Sequence, residues 1–535
     1  MPEVKEGSVI EYQYQIVSDR LSWLRTWEFQ KTIPVKWSEY LVEIPEYFNY
    51  LKISTGFEPF VINDITEEMH SETFTGLERS NSRFGGSAKT TVNQLDYKLI
   101  RYHWAIENAP GLRDESFVGN VQDYFTKVEF QLSNYKIPGY QFENVLGTWE
   151  DINDQLLVHN ENFKNNISDK GFYSDDLEQI LLTCKMDEEK MTGVYRFLTA
   201  RMQWDGVCDY IPNQSIKKTY ENQTGSAADI NALLISMLRS VGLDTEPVIL
   251  STRDNGQVHP IYPIMHKYNY LIGLVNIDGK SYLLDATEKN IPPGMLPVRC
   301  LNQRGRCISK SRSDWIILQP TIGSQELYIC NLKIENNEFS GNVLTKLQGY
   351  SAIASNKKYT IDGADKYVEV LLEEHKDWVV ENYSVTNENP CHEGFKEKFD
   401  VTVRNAVFEG GNMLYIDPIL VNRWDDNPLK NEIRKFPVDF NYPVVTKYIS
   451  NIIIPEGYEI EELPESIQFS LPDKSANFIY MVKHQGSTIQ LVNQFEIKKS
   501  FYTVEEYPSL REFWSMVVSK NNEQIVLKQI EKNEF

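Results

Sequence analysis

The chain of 535 residues has little cysteine, no excess of basic charge and no long apolar run. Six cysteines are too few for a disulfide scaffold at this length, and the absence of any C-x-x-C pair excludes a zinc ribbon or a thioredoxin-type site. The net charge is −22, which argues against a nucleic-acid binder, because such proteins need a basic face. No window approaches the roughly 20 apolar residues that span a bilayer.

The sequence also lacks the short motifs of the common catalytic and metal sites. There is no Gly-rich phosphate loop before a helix, no His-Glu-x-x-His and no Gly-x-Ser-x-Gly. Residues 424–427 resemble half of a calcium loop without the remaining oxygen ligands, and His392-Glu393 lacks a second histidine at the required spacing. We therefore expect neither a metal ion nor another cofactor.

Periodicity divides the chain into three parts. Residues 1–145 alternate between apolar and polar positions, as in Ile10, Tyr12, Tyr14 and Ile16, and this alternation favours an N-terminal β-sandwich. Strands are also predicted there at residues 40–44, 97–104 and 126–132, and turns at residues 80–87.

The second part, residues 146–323, changes to helical spacing and then mixes helix with strand. Val194, Phe197, Leu198 and Met202 make an apolar stripe that is typical of a buried helix face. We interpret this part as an α+β domain between two β modules, and any chemistry is expected here.

The third part, residues 324–535, returns to a strand pattern up to about residue 499, with turns at 455–457 and 473–475. Pro508 suits the first turn of a late helix. The apolar face of that helix would consist of Leu510, Phe513, Trp514 and Val517. The expected fold class is thus multidomain α+β, with a C-terminal region of β-sandwich type that carries a late helix.

A central helix is predicted to begin at Ala227. Ser226 and Asp229 form a capping-box pair, and Gly242 suits the left-handed residue that ends a helix. Strands are expected at 245–251, 268–277 and 281–286, and Asp278-Gly279 predicts a two-residue hairpin between the last two.

Several short motifs, in order, carry a family resemblance. They lie at residues 4–12, 33–40, 204–205, 225–242, 251–253, 284–287, 436–439 and 454–458. Together they resemble bacterial proteins in which a transglutaminase-like, papain-like core lies between two β modules of unknown function. The resemblance implies a Gram-negative cell-envelope protein, periplasmic or associated with the outer membrane. Because no leader precedes residue 1, we expect a trimmed or mis-started N-terminus.

The catalytic positions of that family are degenerate here. The family pattern Gly-x-Cys-x-Asp is matched by residues 225–229, which places Ala227 at the nucleophile position. The family's Asn-His is Asn269-Tyr270 here, so a tyrosine occupies the position of the base, while Asp285 keeps the third position. Trp204, Ser226, Asp229 and Asn269 are candidate cleft residues.

No other residue is an evident replacement for the missing groups. Ser226 is expected to cap the helix, and nothing places Cys208 at a helix start. His259 and His266 would fit no metal-ligand motif with Asp285. Cys300 and Cys307 flank a stretch in which Gly305 could form a tight turn, so a disulfide between them and two free thiols are both open.

The leading hypothesis is a non-catalytic protein that binds a peptide, a glycan or an envelope protein. The alternative is an active cysteine-protease-like hydrolase or acyltransferase with relocated residues, and a third reading is a spacer that holds two sandwiches apart. The hairpin count makes one geometric prediction: Ile277 pairs with Lys280, so Tyr270 and Asp285 share one face as diagonal neighbours. The helix start at Ala227 is also expected to keep free N–H groups for an oxyanion.

Overall fold

The computed structural model describes residues 5, 7–17, 24–79, 88–113, 115–168, 171–387 and 394–530. The protein is mixed α+β, as predicted, and it is rich in sheet. It divides into two compact units, the first from residues 1–113, 122–148 and 261–264, the second from 114–121, 149–260 and 265–535. Apart from residues 146–148 and 261–264, the second and third predicted parts thus lie in one unit.

In the first unit, alternating residues form two antiparallel sheets. β6 lies between β1 and β3 with β7 on its far end, and β5 lies between β2 and β4. The inward side chains of both sheets, such as Val42, Trp104 and Phe130, join one apolar cluster. The strands are β1 (Trp27–Glu28), β2 (Val35–Pro45), β3 (Phe48–Thr55), β4 (Ile62–Arg79), β5 (Ala88–Ala109), β6 (Lys127–Tyr135) and β7 (Glu143–Asn144).

The strand predicted at residues 10–16 is wrong. This segment has no strand structure, and Tyr12 is 76% and Ile16 63% exposed. Alternation stabilises a strand only where a neighbouring strand accepts its hydrogen bonds and covers one face, and the segment has neither. The turn-rich stretch 80–87 lies outside the described residues, as do Cys391 and the pair His392-Glu393.

The central region of the second unit is a sheet covered by helices, in the order β12-β11-β10-β13-β14. The stripe predicted from residue 194 is confirmed as core, since Val194 and Leu198 have no exposed surface. The helices are α1 (Trp149–Asp154), α2 (Glu161–Asn166), α3 (Ser174–Thr183), α4 (Asp187–Arg201), α5 (Ile216–Asn222) and α6 (Ala227–Ser240). The strands are β8 (Gln203–Trp204), β9 (Thr224–Gly225), β10 (Asp244–Leu250), β11 (Tyr270–Ile277), β12 (Lys280–Leu284), β13 (Arg304–Cys307) and β14 (Trp315–Ile317).

Helix α6 is the centre of this region, and its predicted start is confirmed. The Ser226 hydroxyl accepts from the Asp229 amide and the Asp229 carboxylate accepts from the Ser226 amide, which completes the capping box. Gly242 follows the helix at φ +84°. Eleven residues of the helix, 228–238, are buried in succession because helices and the sheet cover it on all sides.

The remainder of the second unit is built on an eight-stranded sheet in the order β17-β18-β16-β15-β22-β26-β25-β24 and a smaller sheet β19-β20-β28-β23. Its elements are β15 (Ser324–Glu335), β16 (Glu338–Gln348), α7 (Tyr350–Glu374), β17 (Trp378–Thr386), β18 (Phe395–Val403), β19 (Val407–Gly410), β20 (Met413–Ile416), β21 (Val438–Asp439), β22 (Val444–Ile453), β23 (Tyr458–Glu462), β24 (Ile467–Ser470), β25 (Ala476–Gln485), β26 (Thr488–Ile497), β27 (Phe501–Tyr502), α8 (Tyr507–Asn521) and β28 (Ile525–Gln529).

The late helix is confirmed and an additional helix was missed. Pro508 lies in the first turn of α8, and Leu510, Phe513, Trp514 and Val517 are buried in the core of this part. Between 324 and 499 only strands were expected, yet α7 occupies 25 residues. Its pattern is weak because few of its residues are buried and because Gly363, at φ +77° and ψ 170°, interrupts the helix.

Within the described residues, no helix is both long enough and apolar enough to cross a membrane.

Replacement of Phe513 by alanine should destabilise the protein by about 3–5 kcal/mol, because the ring is 3% exposed and its loss leaves a cavity between α8 and the sheet. The free energy of unfolding in denaturant measures the effect. Met516→Ala on the same helix is the control: this side chain is 41% exposed, so the change should cost less than about 1 kcal/mol. Equal effects of both substitutions would contradict the packing described here.

Candidate functional site

Three elements carry the residues that the resemblance assigns to catalytic positions. Ala227 is the first residue of α6, Tyr270 is the first residue of β11, and Asp285 directly follows β12. None of the three has exposed surface. The site is therefore a buried cluster within the second unit.

The hairpin register follows the predicted count. Ile277 pairs with Lys280 and Gly273 with Leu284. If this register is continued by one residue, Asp285 lies opposite Ile272. The Tyr270 hydroxyl donates to Asp285 Oδ2 over 2.9 Å. The prediction that the phenol approaches the carboxylate is thus confirmed.

The Asp285 carboxylate accepts hydrogen bonds on both oxygens. Oδ1 accepts from Asn231 Nδ2 at 2.8 Å and from the Thr287 amide at 3.0 Å. Oδ2 accepts from Tyr270 and, at 3.7 Å, from the thiol of Cys300. A buried carboxylate is tolerated only with such donors, since its desolvation costs several kcal/mol.

Arg299 supplies the positive charge of the cluster. Its Nη2 lies 3.6 Å from Asp285 Oδ2, and its Nε donates to the Tyr270 hydroxyl at 3.1 Å. Nη1 donates to Glu288 at 2.7 Å, and Nη2 to the Thr287 hydroxyl. The guanidinium also covers the Trp204 ring, 4.2 Å from its centroid, so five residues hold one cation in place.

This environment opposes proton transfer and thiolate formation. Burial and then the negative charge of Asp285 raise the pKa of Tyr270 well above its ordinary value. The same two causes raise the pKa of the Cys300 thiol, which is fully buried. Both groups therefore stay protonated near neutral pH, and neither suits general-base or nucleophilic catalysis.

Cys208 is the other thiol near Ala227, and it packs against the same apolar cluster. It is half-buried, and burial raises its pKa. Arg299 acts in the opposite direction but does not reverse the shift. Cys208 thus lacks the electropositive setting that activates a catalytic cysteine.

The disulfide considered between Cys300 and Cys307 is absent, and both thiols are free. The expected tight turn does not form, because Gly305 lies inside β13 and pairs with Ile316 of β14. Cys300 ends a short 3₁₀ turn (Val298–Cys300) and contacts Asp285, whereas Cys307 pairs with Val248. The two residues serve different parts of the core.

The start of α6 does not keep a free oxyanion site at Ala227. The Ala227 amide donates to the Val207 carbonyl at 3.0 Å, and the Asp229 amide is bound by Ser226. Asp229 also accepts from the amides of Asn213 and Gln214. The expectation of free N–H groups is therefore wrong for Ala227 and Asp229, since each already has an acceptor.

The two remaining candidate cleft residues have structural partners. The Asn269 side chain accepts from the Thr252 amide and donates to its hydroxyl. Trp204 donates its indole N–H to the Val207 carbonyl.

Residues from α7 lie over this region: Tyr350 donates to the Leu296 carbonyl, and Lys357 pairs with Glu288 at 3.2 Å. These contacts hold the segment 287–301 in place beside the cluster around Asp285.

No group of three or more His, Cys, Asp or Glu side chains among the described residues is arranged to hold a metal ion. In the segment 424–427, the Asp425 carboxylate pairs with Arg423, and Asn427 donates to the Arg511 carbonyl. The Asp425 oxygen that a calcium loop would offer to the ion is thus already paired with Arg423.

Sequence reasoning missed Arg299, Thr287, Glu288 and Asn231. One signal was present: Arg299 is the only charged residue between 291 and 303, a stretch that is otherwise apolar or uncharged. A lone charge in such a stretch is rarely buried without a partner. Asn231 gave a weaker signal, as a polar residue in the apolar run of α6.

Comparisons with known proteins are few. The model of a family described as a domain of unknown function with solved structure, DUF3858, matches residues 412–527. These residues lie in the C-terminal part and exclude the cluster around Asp285. No curated protein matches the chain.

Two solved structures are similar to the chain. The crystal structure of a putative protease from Parabacteroides distasonis is 14% identical, with a TM-score of 0.49, over 94% of this chain and 74% of that chain. The structure of a putative cysteine protease from Cytophaga hutchinsonii is 9% identical, with a TM-score of 0.18, over 49% of this chain and 73% of that chain. These values are too low to transfer a function.

Substitution Arg299→Gln should lower the free energy of unfolding by about 3 kcal/mol, because it leaves the Asp285 carboxylate buried without a cation. The double variant Arg299→Gln, Asp285→Asn should recover part of this loss, since a neutral amide needs no cation. Arg312→Gln is the matched control: Arg312 is 45% exposed and lies 3.9 Å from Asp244, so about 0–1 kcal/mol is expected. Strictly additive effects of the two changes would contradict the coupling.

Proposed function

We propose that this protein is a non-catalytic, transglutaminase-like protein that binds a peptide, a glycan or a protein partner in the cell envelope. The observation that carries the proposal is the closed network around Asp285, in which Ala227 and Tyr270 occupy the places of the nucleophile and the base. Acyl transfer by a cysteine needs an accessible thiolate and a group that exchanges protons near neutral pH. This cluster supplies a methyl group and a protonated phenol.

An active enzyme with relocated residues is less well supported. Cys300 is fully buried against Asp285, and burial raises the pKa of Cys208. The Ser226 hydroxyl is part of the capping box and donates to Asp229 Oδ2 at 2.8 Å. Each nearby nucleophilic atom is therefore committed to the fold.

A binding role would use surfaces outside the buried cluster. A cleft of about 980 Å³ lies at one end of the eight-stranded sheet, beside the last residues of β15 and β22 and the turn that includes Gly457. Its lining mixes apolar residues with charged ones, including Lys333, Glu335 and His484. A cleft of this size and composition suits a peptide segment or a short glycan.

The wild-type protein should show no hydrolysis or transamidation of amide and ester substrates, and a thiol-reactive activity probe should leave Cys208 and Cys300 unlabelled under native conditions. Labelling of Cys208 and Cys300 after denaturation is the positive control. Cys184, a half-buried thiol away from Asp285, is the internal reference for labelling under native conditions. Turnover that disappears in Cys208→Ala or Ser226→Ala would reject the non-catalytic reading and favour relocated catalysis.

A peptide and glycan array should then identify ligands of the wild-type protein. Ile453→Asp, which places a charge at an exposed position of the 980 Å³ cleft, should abolish captured signals, whereas Ile361→Asp on α7 should not. Absence of any signal would favour a spacer role. Fractionation of cells that express the full gene tests the envelope assignment, and recovery in the cytoplasm would reject it.

A further inference from the structure

A second cleft, of about 320 Å³, lies within the second unit. Its walls are the start of β13, the end of β14, the short strands β21 and β27, and residues close to these two strands. Its apolar wall includes two residues of the central apolar cluster. The cleft is lined by, among others, Leu301, Arg304, Leu318, Gln319, Asp439 and Ser500.

The cleft carries one uncompensated charge. Its acidic residue, Asp439, is paired with Arg253 over 2.8 Å, and its other oxygen accepts from the Asn441 amide. Arg304, by contrast, has no carboxylate within ion-pair distance among the described residues, and its recorded partner is the Trp315 ring, 5.4 Å from the centroid. The cleft is therefore positive in an otherwise strongly acidic protein.

A second arginine strengthens this positive character. Arg306 lies on the same face of β13 as Arg304, and its guanidinium is also 5.4 Å from the Trp315 centroid. Only 7% of Arg306 is exposed, yet its Nε has no hydrogen-bond partner. Burial lowers the pKa of Arg306, although Asp314 and Glu150 partly oppose this shift, and its Nη2 donates only to the Ser313 hydroxyl among the described residues. Proteins seldom leave such a buried donor unsatisfied.

We propose that this cleft binds a small molecule with an oxyanion, a carboxylate or a phosphate, on an apolar body. Arg304 would hold the oxyanion with two parallel N–H donors, as guanidinium groups do. Arg306 would add positive potential from behind the Trp315 ring. Leu301 and Leu318 would cover the apolar body, and Ser500 and Gln319 offer further hydrogen bonds.

Size and charge exclude the other ligand classes. A metal cation is disfavoured, because Asp439, the one acidic residue among the described lining residues, is already paired with Arg253. A nucleic acid is too large for 320 Å³, and the net charge of −22 would repel it. The proposal is independent of whether the cluster around Asp285 is catalytic.

The test uses three probes of nearly the same shape: benzoate, phenyl phosphate and neutral benzamide. Calorimetric titration of the full chain should detect binding of benzoate or of phenyl phosphate. The anion that binds shows whether the cleft takes a carboxylate or a phosphate. Arg304→Gln should weaken that binding at least about tenfold, because one charge-assisted contact is lost. Arg312→Gln, an exposed arginine elsewhere, should leave it unchanged.

A second variant guards against loss of folding. Gln319→Glu changes an exposed residue of the cleft and provides a carboxylate that competes for Arg304, so it should also weaken binding while the melting temperature stays near that of the wild type. The proposal is overturned if benzamide binds as tightly as the two anions, if neither anion binds at millimolar concentration, or if both cleft variants bind like the wild type.

Discussion

The burial of the Asp285 carboxylate is the constraint on which the central region depends. A carboxylate with no exposed surface needs several donors and a cation, and here they come from different elements: Asn231 from α6, Tyr270 from β11 and Arg299 from the 3₁₀ turn. Because each donor must reach the same two oxygens, the helix, the hairpin and the covering segment are fixed relative to one another.

Arg299 explains how the buried carboxylate of Asp285 is stable. In a triad the residue paired with the aspartate carries a positive charge during the reaction, whereas the phenol of Tyr270 stays neutral. The permanent charge of a guanidinium fills that electrostatic role but moves no proton. Trp204, Thr287 and Glu288 hold the guanidinium from its other sides, so it satisfies the aspartate without leaving a reactive group.

Local signals predicted the parts of the site that short-range chemistry determines. The capping pair Ser226 and Asp229 identified the first residue of α6, and Asp278-Gly279 set the hairpin register that brings Tyr270 to Asp285. The failures involve long-range packing. The strand expected at 10–16 lacks a sheet neighbour, α7 has too little buried surface for a clear stripe, and Arg299 meets Asp285 through a loop whose path no periodicity reveals.

The same covering segment connects the closed cluster with the smaller cleft. Arg299 and Cys300 face Asp285, whereas Leu301 lines the 320 Å³ cleft, and the Leu301 carbonyl accepts from Arg253, the partner of Asp439. This segment contributes the cation and the thiol that close the network around Asp285. Beyond its far end, Arg304 has no carboxylate within ion-pair distance among the described residues, and its guanidinium lies 5.4 Å from the centroid of the Trp315 ring. Adjacent residues of one segment thus face two different environments: a closed network that neutralises a buried carboxylate, and a cleft in which a guanidinium has no carboxylate partner.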